Sequence, residues 1–194
     1  NVTPKDLPMW TRVSIIEPSH FAAGTMYLAA NRYEMDDFAP YLYKTTDFGA
    51  TWTKIVTGIP ATEFTRAIRE DLKRPGLLYA ATERSMYISY DAGAHWQSLK
   101  VNLPPVSVHD IALRDDDIVI ATMGRGFYAM EGISRLRQAD RKAGELGTNR
   151  RRVKPYSALR GEFQRALGVI PAGLALNAAA FDWHNYGKDV IGAR

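Results

Sequence analysis

Cysteine is absent from this 194-residue sequence. That excludes a disulfide framework and any thiolate nucleophile or thiolate metal site. No apolar run reaches the ~20 residues a membrane-spanning helix needs. The most apolar window, residues 166–181, is interrupted by Pro171 and Asn177. No signal-peptide pattern stands at the start, and both ends read as internal to a longer chain. The four histidines (His20, His95, His109, His184) show no H-E-x-x-H or comparable ligand spacing, so no metal site and no cofactor are expected. A dominant charge of one sign is lacking too. The net charge of +4 is carried by residues 132–170, where arginines and lysines far outnumber Asp140, Glu145 and Glu162. The run Arg150-Arg151-Arg152 reads as a solvated linker, and no nucleic-acid partner is expected.

What is present is a repeat. TTDFGATW (45–52) and SYDAGAHW (89–96) share the pattern [ST]-x-D-x-G-x-x-W, with Asp47 and Asp91 spaced 44 residues apart. That period suits one four-stranded propeller blade. Upstream of each box lie three β-rich runs: TRVSIIEPS, TMYLAANRY and PYLYKTT in the first copy, FTRAIRED, LLYAATE and SMYISY in the second. A Trp-led run follows each box, WTKIV and WQSLK, and ends in a proline turn. FTRAIRED alone would also suit a helix, but its repeat equivalents RVSIIEP and VHDIALRD are β-rich, which predicts a strand. A third copy starts near residue 106 with VHDIALRD, DIVIATM and GFYAM, then breaks off near Glu131 without a box or a Trp-led fourth strand.

The expected fold is therefore mainly β: a partial β-propeller of about three four-stranded blades, the last incomplete, followed by a short linker and α-helical tail. The domain reading is 1–137 for the blades and 138–194 for a basic linker and an Ala-rich helical tail. Two and two-thirds blades do not close a ring and would leave bare strand edges, so the remaining blades of a larger ring are expected as partners. The box residues Asp47, Gly49, Trp52, Asp91, Gly93 and Trp96 read as folding devices. The aspartates accept turn N–H groups, the glycines take positive φ, and the tryptophans pack beneath the turn. His95, in the second box, reads as a surface turn residue.

Several runs taken in order, ANRYEMDDFAPYLYKTTDFGATWTKI, FTRAIREDLKRPGLLYAATE and VSVHDIALRDDDIVIATMGRGFYAMEGISRLRQ, resemble the C-terminal blades of large bacterial sortilin-like BNR/Asp-box propeller proteins, many of which carry a glycosyl hydrolase label. The resemblance covers residues 1–137. Where those proteins usually read ATHGRG, this chain has Met123 in the histidine place. The resemblance implies a secreted or periplasmic bacterial protein that binds a carbohydrate or a peptide or protein ligand, with glycoside hydrolysis, sialidase- or xyloglucanase-like, as the alternative. Separately, AAAFDWHNYGKDVIGAR (178–194) resembles a segment of the insulinase-type zinc peptidases. Asp189 stands there in the usual serine place, and the zinc-binding H-x-x-E-H is absent, so the likeness implies no peptidase chemistry.

Function is sought where strand ends meet loops. The candidate ligand-binding residues are Arg32, Tyr33, Asp36 and Asp37 in the first copy, Glu83 and Arg84 in the second, and His109 and Arg125 in the third. The segment RYEMDDFAP is longer than its counterpart in the second copy and reads as an elongated loop. Glycoside hydrolysis needs two carboxyl groups about 5–9.5 Å apart. Asp36, Asp37, Glu83 and Asp110 are the available carboxylates, and Asp110, beside His109 on an innermost strand, is the catalytic candidate. No motif fixes a pair, and the chain is not expected to be an active enzyme alone.

Overall fold

The structure is a computed structural model. It describes residues 1–99 and 102–138, and the backbone of 183–185. Four strands, β1 (Arg12–Pro18), β2 (Met26–Arg32), β3 (Asp37–Thr45) and β4 (Thr53–Lys54), pair in sequence order as one antiparallel sheet. β5 (Thr65–Glu70), β6 (Leu78–Thr82), β7 (Met86–Ser89) and β8 (Gln97–Ser98) form a second sheet with the same order. FTRAIRED is thus a strand, as its repeat partners require. A helix there would strand the half of its apolar groups that now pack between sheets.

The third sheet begins likewise with β9 (Val108–Arg114), β10 (Asp117–Thr122) and β11 (Phe127–Met130), after which the chain turns into the short helix α1 (Ser134–Gln138). Among the described residues no contiguous fourth strand follows. Its place is taken by β12 (Trp183–Asn185), which pairs antiparallel with β11. The arginine run, the linker and the rest of the expected helical tail lie outside the described residues.

Two interiors hold the sheets together. Between the first and second sheets, Tyr27, Ala29 and Leu42 meet Ile68, Leu78, Ala80 and Tyr87, closed by Trp96 and Ile55. Between the second and third, Tyr79, Met86 and Ile88 meet Val108, Ile111, Ile120 and Met130. Both faces of the middle sheet are covered, which is why LLYAATE and SMYIS read as near-continuous apolar runs. The far face of the first sheet buries Leu28, Ala30, Tyr41 and Tyr43, with Leu7 of the N-terminal segment packed against them.

That segment repeats a device seen one sheet later. The Trp52 indole Nε1 donates to the Val2 carbonyl at 2.6 Å, and the Trp96 indole donates to the Ile55 carbonyl at 2.8 Å. The two glycines of the turns explain their identity here. A Cβ on Gly93 would stand 2.5 Å from Ile55 Cδ1, and one on Gly49 would stand 2.9 Å from Val2 Cβ. Both have positive φ, 92° and 87°, which glycine adopts without steric cost. A polar staple fastens α1 to the second sheet. Arg137 Nε donates to both oxygens of the buried Asp71 at 2.8 and 2.9 Å.

Candidate functional site

The two ends of the strands have different chemistry. At the end where the third strand of each sheet turns into the fourth, the aspartate turns are saturated with internal bonds. Asp47 accepts from the Thr51 N–H (2.8 Å) and hydroxyl (2.6 Å) and from the Thr45 hydroxyl (2.7 Å). Asp91 accepts from the His95 N–H (2.9 Å) and the Ser89 hydroxyl (2.8 Å), and its other oxygen lies 2.7 Å from His95 Nδ1. The Thr45 and Ser89 hydroxyls also receive the Gly49 and Gly93 N–H groups. The Thr51 hydrogen bonds, side chain first and then backbone, hold the Asp47 carboxyl down at about 2. For Asp91, burial works against ionisation, but the hydrogen bonds from His95 and Ser89 prevail and lower it. His95 is therefore a working part of its turn: it stands where Thr51 stands and bonds the same carboxylate. A cleft of about 340 Å³ opens between the two turns, but Thr45, Thr51 and Asp91 in its walls already serve the turns.

The opposite end carries the sequence-selected residues. The elongated connection is not a loose loop. β2 and β3 run on into it, leaving a single 3-10 turn at Tyr33–Met35 closed by Asp36 in the left-handed region (φ 54°). Asp37 is committed to that hairpin. It accepts from Arg32 Nη1 (3.0 Å), the Tyr41 hydroxyl (2.7 Å) and the Ala39 N–H (3.1 Å). Tyr33 stacks on Phe64 with ring centroids 4.9 Å apart, and the Arg66 guanidinium covers both rings. Exposed Phe38 tilts against Phe64 at 6.1 Å. Asp36, Arg84 and Arg125 stand exposed around this end, as does Met123.

Glu83 holds Arg66 through one oxygen, at 2.7 Å from Nη2 and 3.0 Å from Nε, and accepts the Ser107 hydroxyl at 2.7 Å. Asp110 does not stand free in the interior. It is more than half exposed and is bonded by Arg69 Nη2 at 3.0 Å, while Nη1 of the same guanidinium reaches Glu17 at 3.1 Å. Burial, then the Arg66 charge and to a lesser degree that of Arg12, depress the His109 imidazole below its ordinary value, with Glu83 pulling the other way. A depressed value keeps the ring neutral at pH 7, so it can both donate and accept a hydrogen bond.

Register explains what gathers here. In β1 the pairing steps from Val13↔Ala30 to Ile15↔Ala29, leaving Ser14 as an extra residue. In β5 it steps from Thr65↔Thr82 to Ala67↔Ala81, leaving Arg66. In β9 it steps from Val108↔Thr122 to Asp110↔Ala121, leaving His109. Each innermost strand thus has a bulge at the same repeat position, and bulges re-aim a side chain. Ser14, Arg66 and His109 all line one cavity of about 240 Å³, with Arg12, Asn31 and Asp110. The Asn31 amide donates to the Ser14 hydroxyl at 2.7 Å. Sequence reasoning picked out His109 but missed Ser14, Arg66, Arg12 and Asn31. No shared residue type marks the bulge, since Ser14, Arg66 and His109 occupy it in the three copies.

Comparison with solved structures fits this geometry. A GH74 xyloglucanase from Xanthomonas campestris matches with a TM-score of 0.51 at 21% identity, over 67% of this chain and 22% of that one. The chain is a partial β-propeller. A GH74 enzyme from Niastella koreensis (TM-score 0.49, 16% identity, 62% of this chain and 21% of that one) and a structure described as YCF48 bound to D1 peptide (0.46, 18%, 62% and 37%) are also similar. The propeller blades here thus correspond to well under half the length of the solved proteins they match. No protein-family model and no curated protein matches the chain. Among the described residues no three His, Cys, Asp or Glu side chains are grouped to hold a metal ion, and no helix is long and apolar enough to cross a membrane.

Proposed function

We propose that the chain is the ligand-binding portion of a secreted or periplasmic, sortilin-like BNR/Asp-box propeller, acting as a carbohydrate- or protein-binding scaffold. The observation that supports this is the convergence of three bulged residues, Ser14, Arg66 and His109, on one cavity at the inner-strand mouth. A bulge gives up a ladder pairing, and three at the same repeat position trade regular pairing for side chains aimed at one place. The cavity mixes a hydroxyl, an amide, a neutral imidazole and paired charges. That is the composition of a site for a polar, largely uncharged ligand such as a sugar ring or a peptide backbone. The remaining blades of a ring would stack on the far face of the first sheet, where Val2 and Leu7 already lie as Ile55 and Ile59 lie on the second.

Glycoside hydrolysis is the second reading, favoured by the xyloglucanase likeness in fold. Against it, Asp110 and Glu83 are each occupied by a guanidinium, and Asp37 is bound into its hairpin. The two readings separate by titrating the chain with xyloglucan oligosaccharides and a random decapeptide library while monitoring product release. Saturable binding without turnover, lost in Arg66→Ala and His109→Ala, supports the scaffold. Turnover abolished by Asp110→Asn supports the hydrolase. Binding unchanged in both mouth variants overturns the assignment of the site.

A further inference from the structure

The outer edge of β11 is a strand-acceptor site, and the geometry points to residues 183–185 as its ligand, a surrogate for the missing Trp-led fourth strand. In the first sheet Tyr43 pairs with Lys54 and Lys44 with Thr53; in the second Tyr87 pairs with Ser98 and Ile88 with Gln97. In the third, Tyr128 pairs with Asn185 and Ala129 with His184. Tyr43, Tyr87 and Tyr128 are equivalent, because their inner partners Leu28, Ala80 and Ile120 hold the same place in β2, β6 and β10. The register therefore carries one residue further back. Trp183, opposite Met130, stands where Trp52 and Trp96 stand ahead of β4 and β8. A segment from the far end of the chain has entered the sheet with a tryptophan at the repeat's own tryptophan register.

The physical reason is the bare edge. A third strand without an outer neighbour leaves N–H and C=O groups unpaired, and an extended segment can satisfy them while its side chains choose the register. In the two complete sheets the register is tied down by the tryptophan, whose indole bonds the Val2 or Ile55 carbonyl of the preceding unit. The equivalent carbonyl on the second sheet belongs to Leu99. The site thus selects an extended segment led by tryptophan, and it is separate from the mouth at the inner strands.

Hydrogen exchange on the full 194-residue chain tests this. Successive strand residues direct their N–H groups to opposite sides, so the double substitution His184→Pro/Asn185→Pro removes a donor towards β11 in either orientation. Amides of 127–130 should then exchange at least ~10-fold faster, with Ile68 and Ala80 in the inter-sheet core still protected. If the proline variant loses protection everywhere, Trp183→Ala provides the same comparison with the backbone donors intact. A synthetic peptide of residues 180–189, AFDWHNYGKD, should restore protection to the opened edge, and the peptide with Trp183→Ala should do so at least ~10-fold less well. Exchange of 127–130 unchanged in both variants overturns the acceptor site. Equal rescue by the two peptides overturns the tryptophan register.

Discussion

Asp71→Ala should be among the most damaging single substitutions in the chain. Asp71 is fully buried and gathers four donors: Arg137 Nε shared between both oxygens, the Lys73 and Arg74 N–H groups at 2.8 and 2.9 Å, and the Tyr79 hydroxyl at 3.3 Å. Arg137 is itself buried and also bonds Asp116 and the Asp115 carbonyl. Alanine leaves a buried guanidinium with an exposed carboxylate as its remaining ionic partner, which costs about 3–5 kcal/mol. The orphaned N–H groups belong to a turn that water can enter, so the lower half of that range is expected. Domains of this kind hold only about 5–15 kcal/mol in all. The urea midpoint should fall by ~1–4 M at a slope of about 1–3 kcal/mol/M. Arg137→Met leaves the anion with its backbone donors and should cost less than Asp71→Ala. A loss under about 1 kcal/mol for Asp71→Ala would refute the view that this pair fastens α1 to the second sheet.

Trp96→Ala should destabilise by about 3–5 kcal/mol in the same assay, and Trp52→Ala by clearly less, because Trp52 is only partly covered while Trp96 is buried. The Asp47 carboxyl, held at about 2, lies below its unfolded value near 3.9. Its contribution to stability is therefore complete above that unfolded value and lost as pH falls through the folded one. Thr51→Val removes the Thr51 hydroxyl's hydrogen bond, so the Asp47 carboxyl carbon, followed by NMR, should titrate upward from about 2 towards 3.8. In the β2–β3 hairpin, Asp36→Ala should leave the urea midpoint within error. Asp37→Ala should lower the stability by about 1–2 kcal/mol, since the Tyr41 hydroxyl and Ala39 N–H lose their acceptor.

The repeat was legible because each sheet restates one pattern. Tyr27 and Tyr79 hold the same place, as do Trp52 and Trp96, so an ambiguous run such as FTRAIRED is settled by its equivalents. The candidate site was half legible. Loop-end residues such as Tyr33, Glu83 and His109 are recognisable from composition and position. A bulge is not, because it is a property of two strands' register, and Ser14 or Arg66 in sequence is simply the next residue of a strand. The roles of Asp37 and Asp110 were hidden for a similar reason. Their partners Tyr41 and Arg69 become neighbours only after pairing and inter-sheet packing. The fourth strand of the third sheet was least legible, since Trp183 lies far from β11 in the chain and its short run carries no box.

In the proposed function, three bulged inner strands aim Ser14, Arg66 and His109 at one ligand. The most direct measurement follows the His109 imidazole by NMR at pH 7 while xyloglucan oligosaccharides, and then the decapeptide pool, are titrated into the chain. The His109 ring resonances should shift saturably with one of these probes. That shift should vanish in Arg66→Ala, while the His95 ring at the opposite end stays unmoved. Saturable binding that shifts His95 and leaves His109 silent would contradict it.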